Sequence, residues 1–165
     1  MSCYHGQFTI TSDRRVTFED VTEKTIEMLT GSKIKDGILT VYSQHTTCSV
    51  LIQEQSDDVN YWGTQLIHQD LLNGLQTLFP KCETEGQYLH PGPLHIEIAG
   101  RDRHEEAFWS LNTDAHLRSV LLGRSVMIPV IDGKAQLGEF GRIYFADFDQ
   151  VRARERTVRI TVLGD

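Results

Sequence analysis

Hydrophobic and polar positions alternate through residues 4–11 (YHGQFTIT), and a period of two is the signature of a half-buried strand. The spacing then lengthens. Phe18, Val21, Ile26 and Leu29 fall roughly on one helical face, which predicts a helix over 18–30 that Gly31 stops. A turn then leads into a strand over 36–46, whose parity puts Leu39, Val41 and His45 on one face. The run Cys48–Ile52 reads as a further strand, bracketed by His45 at one end and by Glu54, Asp57 and Asp58 at the other. Such bracketing marks either two rims of a cleft or two ordinary surface loops.

The longest helix is expected over 57–79, capped by Asp57 or Asp58 and followed by Pro80. Val59, Trp62, Leu66, Ile67, Leu71, Leu75 and Leu78 form its apolar stripe, and Asp70 falls inside that stripe. A carboxylate so placed must be paired, hydrogen-bonded or protonated, as a helix-packing partner or as part of a site. Gly63 and Gly74 on the same side would admit another backbone closely. Residues 81–110 show no period, and HPGPLH (90–95) predicts a long inserted loop around 91–110. A short helix over 112–123 closes at Gly123, and strands follow at 125–131, 142–148 and 156–164, with a DGK turn at 132–134. This order predicts an α+β fold. It is a single compact domain, 1–165, with a largely antiparallel β-sheet packed by two or three helices.

A chain of 165 residues, 39% hydrophobic and 24% charged, is long enough to bury one core. Its net charge of −7 opposes binding to nucleic acid or to an anionic membrane surface, yet leaves room for a local basic pocket. The mixed runs RDRHEE (101–106) and RARERTVR (152–159) read most simply as solvated faces. Cys3, Cys48 and Cys82 show neither CxxC spacing nor an even framework, which points to free thiols in a reducing compartment. No apolar leader opens the chain and no apolar run is long enough for a membrane span, so a soluble cytoplasmic protein is expected.

Three of the seven histidines stand in suggestive contexts: His45 at a strand end, His90 before a Pro-Gly turn, and His116 one helical turn from Asn112. Imidazoles from three separate elements can build a metal site with an open position. No HExxH signature accompanies them, and ordinary core or surface histidines are the alternative. A second constellation suits an anion: the hydroxyls of Thr46 and Thr47, with Arg118 and Ser119 beyond Asn112 and His116. Walker, GxGxxG and GxSxG signatures are absent, and neither a nucleotide nor a haem is an expected cofactor.

The stretches GILTVYSQHTTCSVLIQE, DLLNGLQTLFP, YLH, DAHLRSVLLGRSVMIPVIDGKAQLG and RARERTVRITVLG resemble, in this order, the YjbQ-like family. Its members are often described as secondary thiamine-phosphate synthase enzymes. The resemblance runs from about residue 16 onward; its most specific parts are His45-Thr46-Thr47, Tyr88-x-His90 and Ala115-His116-Leu117-Arg118-Ser119. It implies His45, His90 and His116 as the core of a pocket, with room for a divalent metal such as zinc or magnesium. Glu54 and Asp70 would orient them, while Thr46, Thr47, Asn112, Arg118 and Ser119 would hold phosphate. The chain departs from the family pattern at Ser110 and Leu111, where acidic residues are usual, at Glu139-Phe140-Gly141, and at Gln150-Val151. These departures mark it as a divergent member.

The activity implied by the resemblance joins a pyrimidine diphosphate to a thiazole phosphate and releases pyrophosphate. It would do so in a homotrimer with its pocket near the subunit boundary. That chemistry needs charge stabilisation on the leaving group more than a protein nucleophile. Two alternatives stay open: metal-assisted hydrolysis of a small phosphorylated metabolite on the same histidines, and a trimer that holds a metabolite or metal without turnover.

Overall fold

The last strand of the chain, β8 (Arg154–Gly164), lies between the first, β1 (Ser2–Ser12), and β3 (Gly37–Ser43), in a computed structural model that describes residues 1–165. β5 (Ser125–Ile131) and β6 (Lys134–Ala135) extend this sheet in the order β1-β8-β3-β5-β6. A second sheet has the order β2-β7-β4, formed by Thr17–Asp20, Gly141–Asp147 and Cys48–Glu54. Every pairing in both sheets is antiparallel.

Alternation decides how the sheets stack. Leu39 and Val41 of β3, Ile128 and Val130 of β5, and Val158, Ile160 and Val162 of β8 point inward and meet Val50, Ile143 and Phe145 of the second sheet. Leu29 of α1 (Thr22–Ser32) joins the same core. The neighbouring residues of β7 face the other way: Ala146, with Phe148 just beyond the strand, packs against Leu75 of α2 (Leu66–Leu78) and Ala115 of α4 (Thr113–Leu122). The fold is therefore α+β in three layers, with β7 buried on both faces. The helices number four, with α3 (Pro93–Arg103) and a 3₁₀ turn at Ala107–Ser110 added to those above.

Three sequence expectations are corrected. The helix expected over 18–30 starts at Thr22, because Phe18 pairs with β7 in β2; it runs through Gly31 and ends where Lys33 turns left-handed at φ 61°. The helix expected over 57–79 starts only at Leu66. Asn60 Oδ1 accepts the N–H groups of Trp62 and Thr64, and Gly63 takes φ 79°, so the preceding segment closes into a side-chain-stabilised turn. This shift rotates the buried stripe. His68 and Leu75 are buried and Asp70 lies on the exposed side, while Gly63 and Gly74 face open space.

The third correction concerns the expected loop at 91–110, which contains α3 and the 3₁₀ turn. Pro93 stands in the first turn of α3, where a missing N–H costs no helical hydrogen bond. A proline read as a breaker is here a starter.

Candidate functional site

Both sheets end at the same place. Ser43 pairs with Val158 and Cys48 pairs with Asp147, so the β3–β4 turn (44–47) sits over the start of β8 and the end of β7. Phe148 N–H donates to Thr47 O at 3.0 Å and locks the two segments together. The N-terminal part of α4, α3 and the 3₁₀ turn close over them, leaving a polar pocket of about 430 Å³.

His45, Thr46, Thr47, Asn112 and His116 all line this pocket. His116 Nδ1–H donates to Thr46 O at 3.1 Å, so its Nε2 is left with a lone pair. Burial lowers its pKa, against the opposing pull of the Thr46 carbonyl and Asp149, and the ring is neutral at pH 7. His45 is held differently. Its Nε2 accepts the backbone N–H of Thr157 at 2.9 Å, so the neutral ring carries its proton on Nδ1 as a donor. Burial lowers its pKa too, helped by Arg156 and Arg154.

His90 is exposed and does not itself line the pocket, although it neighbours His95 and His116, which do. The Thr113 hydroxyl donates to His90 O, so Thr113 Oγ1 accepts from His90 Nδ1–H at 2.9 Å and Nε2 again stays unprotonated. Its ring lies 6.0 Å from His116 and 4.7 Å from His95, centroid to centroid. Burial lowers the His90 pKa, and the two neighbouring imidazoles add to the effect.

The expected metal triad does not fit this arrangement. The lone-pair nitrogen of His45 is already bonded, and the imidazoles beside His90 are those of His95 and His116. No group of three or more His, Cys, Asp or Glu side chains converges closely enough to hold a metal ion.

Four other expected site residues lie elsewhere in the chain. Arg118 is buried, and both Nη2 hydrogens are used on Gln76 Oε1 (2.9 Å) and Phe79 O (2.7 Å), so it ties α4 to the end of α2. The Ser119 hydroxyl donates to Cys48 O at 2.6 Å and anchors α4 on β4. Glu54 is exposed at the far end of β4, about 20 Å from the pocket at the usual strand rise. Asp70, on the exposed side of α2, also stands apart from the pocket.

Arginines supply what Arg118 does not. Strand parity puts Arg154 and Arg156 of β8 on one face, and this part of the run read as solvated lines the pocket. Arg156 is buried and bonded to Asp147 (2.6 and 3.1 Å) and to Thr47 Oγ1 (3.0 Å). Burial works against its charge, but Asp147 holds its pKa above the ordinary value. Asp149 Oδ2 lies 3.2 Å from Arg154 Nε and 3.5 Å from Arg156 Nη2, near enough for ion pairing but outside hydrogen-bond geometry. Arg103 and Arg152 clamp Glu105, and the Arg152 guanidinium lies 3.9 Å over the Trp109 ring. Burial opposes that carboxylate, yet the two arginines hold its pKa below the usual range.

Comparison with known proteins agrees with the fold. Residues 6–165 match the family model described as UPF0047 protein YjbQ-like. A UPF0047 protein of Methanocaldococcus jannaschii is 33% identical over 96% of this chain and 94% of its own. The crystal structure of a hypothetical protein of Aeropyrum pernix K1 superposes with a TM-score of 0.73 at 29% identity, covering 98% of this chain and 99% of its own. That of a YjbQ/UPF0047 protein of Clostridium acetobutylicum gives 0.71 at 25% identity, covering 95% and 98%. With the fold and nearly the full length shared, the chain belongs to the YjbQ-like UPF0047 family.

Proposed function

We propose that the histidine–arginine pocket binds a small phosphorylated metabolite and promotes departure of a phosphate or pyrophosphate group. One observation carries this reading. Arg154 stands between Arg152 and Arg156, shares Asp149 with Arg156, and has an Nε–H without an acceptor. Burial lowers its pKa, Arg152 and Arg156 add to this, and Asp149 and Glu105 oppose it only in part, so its charge is incompletely compensated where it stands. An added anion relieves that deficit. In a chain of net charge −7, such a local basic site is the opposite of the overall field.

The surrounding groups have complementary roles. Arg154 and Arg103 offset the charge of the bound phosphate. His45 Nδ1–H and the buried Ser110 hydroxyl, which has no partner within the chain, act as neutral donors. His116 Nε2, neutral at pH 7, takes up or returns a proton.

The resemblance names one reaction of this class, the joining of a pyrimidine diphosphate to a thiazole phosphate. Incubating the protein with both and measuring pyrophosphate tests it, with His116→Ala as the inactive control. Release of phosphate from a single organic phosphate would favour the hydrolase instead. Saturable phosphate binding without turnover would leave the non-catalytic binding role.

The proposed assembly is a homotrimer. In support, the outer face of the five-stranded sheet exposes Ile38, Tyr42, Met127, Ile131 and Leu163, with Ile38 directly opposite Leu163 in register. Apolar residues grouped on one sheet face are what a second copy of the chain would cover. No helix is long and apolar enough to cross a membrane.

A further inference from the structure

Three carboxylates stand among the arginines of the histidine–arginine pocket, and they are held with unequal firmness. Asp147 is fully buried and bonded twice to Arg156. Asp149 is 1% exposed, and its Oδ1 accepts the backbone N–H of Val151 at 3.0 Å. Packing leaves neither of them another place to go. Glu105 differs. Its side chain is 22% exposed, stands on a longer stem and lines the pocket beside Arg103. Its Oε1 accepts from Arg152 Nη2 at 2.8 Å, and its Oε2 accepts from Arg103 Nε at 3.3 Å.

The backbone under Glu105 is fixed while its carboxylate is not. His104 ends α3 in the left-handed conformation at φ 54°, and the Glu105 N–H donates back to Ala99 O at 3.1 Å. Arg152 keeps a second support, the Trp109 ring 3.9 Å away. Rotation of the Glu105 side chain alone therefore carries the carboxylate from the arginines into water. The ion pairs lost are partly exposed ones, which are weak. Charge supplies a reason for the exchange. Arg103, Arg152, Arg154 and Arg156 face Asp147, Asp149 and Glu105, which leaves these seven side chains one positive charge in surplus. A phosphate group near pH 7 carries about −1.5 to −2. With Glu105 turned out, the surplus rises to two and matches it.

We infer that Glu105 is a built-in competitor for the ligand: its carboxylate holds Arg103 until a phosphate group displaces it. This concerns the regulation of the proposed site and rests on phosphate binding there. A singly charged anion gains less from the exchange, so the device favours phosphates over carboxylates. Arg103, Glu105 and Trp109 all belong to the segment 91–110, which gives that stretch a role at the pocket mouth.

Calorimetric titration with pyrophosphate tests this in the unaltered protein, Glu105→Gln, Arg103→Gln and the double variant, each checked for folding by thermal unfolding. Glutamine keeps the shape of Glu105 and removes its charge. Glu105→Gln should bind about tenfold more tightly than the unaltered protein, a gain where most pocket substitutions lose. In the Arg103→Gln background the same change should gain about twofold or less, because the contested group is gone. Weaker or equal binding by Glu105→Gln would overturn the competitor and assign the carboxylate to holding the arginines in place. So would a gain of full size without Arg103. Either result leaves phosphate binding standing. Absence of pyrophosphate binding in all four proteins would overturn both readings.

Discussion

His45 Nε2 accepts the backbone N–H of Thr157 at 2.9 Å, joining the turn after β3 to the start of β8. One bond fixes the tautomer, spends the ring's only lone pair and leaves Nδ1–H for the pocket. His45→Ala leaves the Thr157 N–H without its partner, and urea denaturation should show a loss of about 1–3 kcal/mol. Phosphate affinity should fall as well. A protein of unchanged stability would mean that the bond contributes nothing to the fold.

Arg156 and Asp147 form a buried pair beneath the pocket. Replacing only Arg156, as in Arg156→Leu, strands a buried carboxylate and should destabilise the protein by about 3–5 kcal/mol. The double change Arg156→Leu with Asp147→Asn should recover part of that loss. Denaturant midpoints of the two variants check it, and equal losses would show that the charge left behind is not the cause.

His68 is buried between Phe18, stacked at 4.4 Å, and Tyr144, edge-on at 4.3 Å, and its Nε2 has no partner. Burial lowers its pKa below 6.5, with Asp20 only partly opposing. Below about pH 6.5 the unfolded chain therefore binds more protons than the folded one. Its contribution is present in full above that pH and is lost as pH falls. Thermal unfolding followed from pH 7 to 5 should show falling stability, with a shallower slope in His68→Phe. His45, His90 and His116 act in the same direction, whereas Asp114, whose pKa burial raises, acts in the opposite one. An unchanged slope in His68→Phe would assign the effect to those other groups.

Much of this was legible in the sequence, for reasons that particular residues make clear. The late strands were readable because alternation there is nearly strict, as in Val158, Ile160 and Val162. The pocket-forming parts of His45-Thr46-Thr47 and Asn112–His116 were readable because they sit at element ends. Asp70 misled because the helix was begun too early: the bonds from Asn60 that close the turn over 60–64 are tertiary detail that periodicity does not carry. Arg118 and Ser119 carry groups suited to phosphate, and only burial reveals that both are spent on α2 and β4. The converse holds for Arg154 and Arg156. Their i, i+2 spacing was a usable signal of a charged strand face, hidden by the habit of reading mixed charge as solvated.

Assembly is open to a direct check. Light scattering should give about three times the chain mass of 18.8 kDa. Met127→Lys, which puts a charge on the exposed apolar face of the first sheet, should shift the population toward single chains while leaving the circular dichroism unchanged. A monomer in the unaltered protein at micromolar concentration would remove the trimer.

The measurement that bears most directly on the pocket's role is titration calorimetry with pyrophosphate, comparing the unaltered protein with Arg154→Met. Methionine keeps much of the arginine stem's packing and removes its charge. Saturable binding is expected in the unaltered protein, weakened about tenfold or more in the variant, in line with the loss of a charge-assisted contact. Absence of binding in the unaltered protein, or equal binding in both, would contradict phosphate recognition by this pocket.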